Sequence, residues 1–194
     1  MSGGARLRLR HANPGRLLMT EEYTRAATWQ DVIQVARYLN EAGAVYMLVG
    51  GYALIAQGLN RTSEDIDILV RPDADNANRW IVALSRLPDG AARELAGETD
   101  LLERDIHYGI RINDEITVDV LGSVCGLTWD DLKAYLTSLT VDDVTIPILN
   151  LEGLLLTKQG VRPKDRMDAA ILQRALEVLR ATVKPDTESG PSKS

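Results

Sequence analysis

Residues 63–70 read Ser-Glu-Asp-Ile-Asp-Ile-Leu-Val, and this run limits the fold more than any other stretch of the chain. Successive side chains of an extended strand point to opposite faces. Ile66, Ile68 and Val70 therefore share one side, while Asp65, Asp67 and Leu69 share the other. Pro72 ends the run. A strand patterned this way lays its apolar side on a core and leaves its acidic side for water or a cation. Asp is disfavoured inside strands, and unpaired like charges are costly to bury. Two readings follow. The carboxylates face solvent on an open sheet, or the i, i+2 pair converges on a hard divalent cation that wants oxygen ligands.

A second acidic strand follows. Residues 106–112 and 115–121 alternate as strands around Asn113-Asp114, which reads as a hairpin turn. Ile116, Val118 and Val120 share one face, and Thr117, Asp119 and Leu121 the other. Asp119 thus sits mid-strand among apolar residues and is expected beside the strand of Asp65 and Asp67. A third carboxylate there could hold a second metal, which would lower the pKa of an attacking hydroxyl and orient it. Phosphoryl transfer needs that kind of charge neutralisation on the transferring phosphorus and on the leaving pyrophosphate.

The surrounding pattern alternates helices and short strands. Thr28 and Asp31 form a capping box ahead of a helix over 29–42, which Gly43 stops. A strand over 45–49 runs into Gly50-Gly51 and a short helix over 52–57. The glycine pair reads either as a plain turn or as a close approach for a phosphate at a helix start. It is neither a Walker loop nor a dinucleotide fingerprint. Arg61, Thr62 and Ser63 precede the acidic strand; the hydroxyls suit a phosphate oxygen, and Arg61 suits either a phosphate or a surface ion pair. Asp75 or Asn76 caps a helix over 77–87, followed by a Pro-Asp-Gly turn and an irregular bridge over 91–103. Thr128 and Asp131 repeat the capping box and open a helix to about residue 136. Residues 144–148 form a strand that Pro147 assigns to a sheet edge. Asn150 caps a helix over 151–159, Gly160 ends it, and Pro163 starts a long helix over 164–182. The expected fold is α+β: a small mixed, mainly antiparallel sheet with helices packed on one face. Residues 1–20 read as a flexible basic tail, 21–183 as a single domain and 184–194 as a disordered tail.

A net charge of −6 excludes a dedicated binder of bulk duplex DNA, which needs a broad positive footprint. No apolar run of about 18 residues could span a membrane, and four arginines interrupt the first 16 residues where a signal core would lie. The expected location is cytoplasmic. Those arginines read as a solubilising tail or as help with an RNA or acidic partner. Cys125 is the single cysteine and is expected to be a buried or half-buried thiol. His11 and His107 have no co-ligands by spacing, and His107 reads as structural. The three tryptophans read as core. Lys158, Lys164 and Asp168 fit either an ion-paired solvent face or contacts to a triphosphate, with Asp168 orienting a lysine.

The order VGGYALIAQGLNRTSEDIDILV, then TVDVLG, resembles the polymerase-beta-like nucleotidyltransferase superfamily. By that resemblance Gly50 and Gly51 open a phosphate-binding helix, and Asp65, Asp67 and Asp119 are the catalytic, metal-holding aspartates. The implied cofactor is Mg2+, with Mn2+ as an alternative, and an NTP such as ATP is the co-substrate. Many members carry serine directly after the glycines. Tyr52 departs from this, leaving Thr62 or Ser63 as the substitute. The later KQGVRPKDRMD resembles the AbiEii-like toxin branch, which implies phosphate contacts from Lys158, also a catalytic candidate, and Lys164, with Asp168 in support. The implied activity moves an NMP to an RNA 3′ end, of tRNA above all, as the toxin of a toxin–antitoxin pair with a cognate antitoxin as partner. The alternatives are nucleotidyl transfer to an antibiotic or a protein, and a non-catalytic nucleotide-binding or antitoxin-type module.

Overall fold

The computed structural model describes residues 6–10, 24–160 and 162–183. In chain order the strands are β1 (Arg6–Arg10), β2 (Tyr46–Val49), β3 (Ile66–Val70), β4 (Gly109–Asn113), β5 (Thr117–Leu121), β6 (Ser123–Val124), β7 (Leu127–Thr128), β8 (Leu136–Val141) and β9 (Val144–Leu149). The α-helices are α1 (Trp29–Glu41), α2 (Gly50–Ala56), α3 (Ala74–Leu84), α4 (Leu101–Arg104), α5 (Trp129–Leu132), α6 (Leu151–Leu156) and α7 (Pro163–Val183).

Seven strands form one sheet in the order β1-β4-β5-β3-β2-β9-β8. The β3–β5 and β2–β9 pairs are parallel and the other neighbours antiparallel, so the sheet is mixed and mainly antiparallel, in an α+β fold. The apolar positions of the acidic strands point where their alternation requires. Ile66, Ile68, Val70, Ile110, Ile112, Val118 and Val120 are all buried. Helices α1 and α3 pack on each other, and their buried side chains join these strand residues in one core. The Thr28–Asp31 capping box starts α1 as expected, and Gly43 takes a left-handed φ of 67° just past its end.

Several boundaries differ from the sequence expectation. Residues 6–10 are not tail: β1 pairs along the whole of β4 and closes one sheet edge. The rest of the expected basic tail up to residue 23, including His11, and the expected 184–194 tail lie outside the described residues. Asp73, rather than Asp75 or Asn76, caps α3 by accepting the Asn76 N–H. The Asn76 side chain instead turns inward, donating to the Val45 and Arg71 carbonyls and accepting from the Val45 N–H. Pro147 does not mark an edge. Strand β9 lies between β2 and β8, and the β2–β9 contact is a single register pair, Leu48 with Ile148, so a missing N–H beside it costs little. The true edge is β8, which was not expected because most of its side chains are exposed and give no clear alternation. Its turn, Asp142-Asp143, has positive φ at both residues, the hand that a two-residue hairpin needs. Helix α6 ends at Leu156, earlier than Gly160, and α5 is a single turn.

Candidate active site

The site is built at the carboxyl end of β2. Val49 pairs in register with Asp67, and the chain then turns through Gly50 at φ 66°. A Cβ at Gly50 would overlap the Asp67 carboxylate, and one at Gly51 would overlap the Ser63 side chain. The glycines are thus needed first to make room for an acid and a hydroxyl. Tyr52, which follows the glycine pair, points the other way: it is buried, donates to the Ala27 carbonyl and lies 6.0 Å from the Trp29 ring. That departure is a core contact, not a lost phosphate ligand. Ser63 donates to the Asp65 carbonyl at 3.1 Å and so shapes the bend that carries Asp65. Asp65 lies in that bend, one residue before β3, rather than within the strand.

Asp67 and Asp119 are register partners on the adjacent parallel strands β3 and β5, and Arg111 on β4 is the register partner of Asp119. One row across the sheet therefore reads Arg111, Asp119, Asp67, Val49, with side chains on a common face. Arg111 donates through Nε and Nη2 to both oxygens of Asp119 at 2.7 and 2.6 Å. The same Nη2 reaches Asp65 Oδ2 at 2.7 Å. These residues form one wall of a cleft of about 700 Å³, within the range of small-ligand sites. The opposite wall comes from the α6–α7 segment. There Lys158, nearly buried, lies 3.2 Å from Asp168 and 3.7 Å from Asp165. Arg61 approaches Asp168 at 3.2 Å, and Arg162 approaches Asp165 at 2.7 Å. Arg61 Nε and Nη2 are buried without an aligned hydrogen-bond acceptor despite that charge contact. Unspent donors beside a basic cluster suit an anionic ligand.

Every residue singled out in the sequence lines this cleft: Gly50, Gly51, Thr62, Ser63, Asp65, Asp67, Asp119, Lys158, Lys164 and Asp168. Asp168 pairs with Lys158 and Arg61 rather than with Lys164, which is exposed. Sequence reasoning did not single out Arg111, Arg162 or Asp165 as site residues. Cys125 also lines the cleft and is exposed rather than buried, with its Sγ donating to the Thr157 carbonyl. His107 places Nδ1 3.2 Å from the Ser123 hydroxyl, a contact at the cleft rim.

Burial above all, then the charges of Asp119 and Asp65, push the Asp67 carboxyl up to about 7, against an ordinary 3.8, although part of its surface faces the cleft. Lys158 and Arg111 offset this only in part. The sign follows from the raised value: the proton on Asp67 stabilises the metal-free fold fully below about pH 4, and that contribution is lost as pH rises through about 7. A cation bound to Asp67 must displace the same proton. Metal affinity is therefore expected to weaken about tenfold per pH unit below 7. Calorimetry in buffers of different ionisation enthalpy checks this, showing proton release on metal binding at pH 6 and none at pH 8.5.

Three oxygen-donor carboxylates, one of them kept short of full ionisation by burial above all and then by its neighbours, fit a hard divalent cation. They are not assembled as a coordination shell. Among the described residues no three His, Cys, Asp or Glu side chains form a ready metal site, and a guanidinium bridges Asp65 and Asp119 instead.

The sequence model of the aminoglycoside-2″-adenylyltransferase family matches residues 31–172, which spans β2, the glycine pair, the three aspartates, Lys158 and Asp168. The chain belongs to this family. The adenylyltransferase family membership makes it a nucleotidyltransferase, an enzyme class that uses an NTP and a divalent metal, and the non-catalytic alternative gives way. Among curated proteins no sequence matches at a significant level. Solved structures similar to the chain include the lincosamide antibiotic adenylyltransferase LnuA with lincomycin bound, at 16% identity and TM-score 0.47, covering 76% of this chain and 98% of that one. A protein described as a nucleotidyltransferase from Thermotoga maritima gives 16% and 0.45, covering 79% and 91%. An antigenic nucleotidyltransferase-like protein from Paracoccidioides brasiliensis gives 17% and 0.42, covering 79% and 88%. No helix of the described residues is long and apolar enough to cross a membrane.

Proposed function

We propose that the enzyme transfers a nucleoside monophosphate from ATP to a hydroxyl of an aminoglycoside-type small molecule and releases pyrophosphate. The observation that carries this reading is the register pairing of Asp67 with Asp119, with Asp65 tied to the same group, on a cleft wall that faces Lys158. Family membership supports the acceptor class. The bond from the acceptor oxygen to the α-phosphorus forms as the bond from that phosphorus to pyrophosphate breaks.

Asp65, Asp67 and Asp119 would hold Mg2+. Bound magnesium supplies charge neutralisation on the phosphates and eases loss of the acceptor proton. Asp119, nearest the hairpin side of the wall, helps take that proton from the acceptor hydroxyl. Lys158 and the buried donors of Arg61 counter the charge that grows on the leaving pyrophosphate, with Lys164 at the rim adding to this. Asp168 fixes Lys158 and Arg61 from beneath. Gly50 and Gly51 leave the mouth of the cleft open to the triphosphate.

A second reading keeps the same chemistry with an RNA 3′ end, such as that of tRNA, as acceptor, and a toxin role held in check by an antitoxin. Its support is the Arg-Leu-Arg-Leu-Arg sequence of β1, whose Arg8 is the register partner of Arg111. The discriminating experiment incubates the full chain and Mg2+ with each α-labelled NTP in turn, offering an aminoglycoside panel in one arm and total RNA in the other. Label passing from ATP to an aminoglycoside is the expected result. Label on RNA alone would replace the first reading by the second.

A further inference from the structure

Arg111 presents a problem of occupancy. Its guanidinium bridges Asp65 and Asp119 with three short charge-assisted hydrogen bonds, on the same sheet face as Asp67. Asp119 is the more buried of the two acids, so its two bonds to Arg111 are screened less than a surface pair, whereas Asp65 is more open to solvent. A divalent cation shared by these carboxylates would need the same oxygens. A guanidinium that holds both oxygens of Asp119 and one of Asp65 competes with a metal for their lone pairs, and two like charges there would repel.

We infer that Arg111 is a built-in counter-cation that offsets part of the negative charge of the metal-free site and is displaced when a divalent metal enters. This rests on reading Asp65, Asp67 and Asp119 as the metal ligands. It assigns Arg111 a role in gating that site, as a positioning residue rather than a catalytic one. The exchange has a second consequence. Once displaced, the guanidinium stays in a cleft that already holds Arg61 and Lys158. Such a cluster is balanced by an anion, and the triphosphate is the anion at hand. Metal entry without NTP is then weaker than metal entry with NTP. The two ligands therefore bind with positive coupling, which is reciprocal by linkage.

A merely structural Arg111 makes the opposite prediction. If the guanidinium holds the aspartates in place for the metal, its removal weakens metal binding. If it competes, removal strengthens it. The test uses the full chain and Mn2+ as probe, followed by electron paramagnetic resonance or calorimetry, with and without a non-hydrolysable ATP analogue. Arg111→Met keeps length and removes charge. It is expected to bind Mn2+ about tenfold more tightly or better without nucleotide, since hydrogen bonds to charged groups of this kind are lost from the competing state. The boost that the nucleotide gives to Mn2+ affinity is expected to shrink in the same variant.

Thermal melting in chelator gives a readout independent of activity. Arg111→Met leaves three carboxylates without their counter-cation, so it should melt below wild type in chelator and recover in saturating Mg2+. Equal or weaker Mn2+ affinity in Arg111→Met would overturn the inference. Should that variant fail to fold without metal, Arg111→Lys decides. It keeps one charge but lacks the fork that spans two carboxylates, so tighter Mn2+ binding than wild type supports the exchange and unchanged binding defeats it. Asp67→Asn serves as the control on the underlying reading. Wild-type Mn2+ affinity in that variant would show that the metal lies elsewhere, a different failure from that of Arg111.

Discussion

Asp67→Asn is expected to leave a folded enzyme whose transfer rate falls about a thousandfold or more, as loss of a preorganised electrostatic or metal contact at a reacting centre does. The direction for stability is as informative as the loss of activity. Asp67 is pushed up to about 7 by burial and then by two like charges, so its ionised form is a burden on the metal-free fold at neutral pH. An amide of the same shape removes that burden. Melting in chelator at pH 8 should therefore be no lower for Asp67→Asn than for wild type. Mg2+ should raise the melting temperature of the wild type and not of the variant. Transfer at the wild-type rate would remove Asp67 from the chemistry. A collapse of the metal-free fold would mean that the carboxylate is held by its surroundings in a way the geometry does not support.

The second large effect is expected at Lys158, and it has two parts. The ammonium lies between Asp165 and Asp168, both buried. Breaking a buried ion pair by removing one partner typically costs 3–5 kcal/mol, and because Arg61 and Arg162 still serve the two acids, about 2–3 kcal/mol is expected for Lys158→Met. Denaturant titration measures that part. Kinetics measure the other: kcat/KM for ATP should fall about a hundredfold, the usual scale for removing one charge that meets a developing anion. A variant that loses the stability but keeps the kinetics would make Lys158 a structural strut between α6 and α7.

Much of this site was legible because its parts are close in sequence. The glycine pair, the i, i+2 aspartates and the apolar alternation around Asp119 each declare a face within a few residues, and a sheet converts shared faces into a shared wall. The capping boxes at Thr28 and Thr128 were legible for the same local reason. Arg111 was hidden by register. A two-residue turn at Asn113-Asp114 would have placed Tyr108 opposite Asp119. The observed turn is longer, with Asn113 opposite Thr117, and this shift brings Arg111 to that place. Asp114 holds the longer turn through tertiary contacts, accepting N–H groups from Asp89 and Ala91, about 25 residues away, which no local pattern reveals. Strand β1 was hidden by its charge, since a run of arginines reads as tail. The Asp165–Arg162 pair was hidden by geometry, because it depends on how the chain turns from α6 into α7.

The rung that joins Asp67 to Asp119 has a mechanical consequence. Their separation is set by hydrogen-bonded backbone in neighbouring strands, close to the ordinary interstrand spacing, and not by the reach of flexible side chains. The far wall is carried instead by side chains of the α6 and α7 segments. The spacing of the two acids therefore belongs to the backbone ladder of the sheet and not to the side chains that line the cleft.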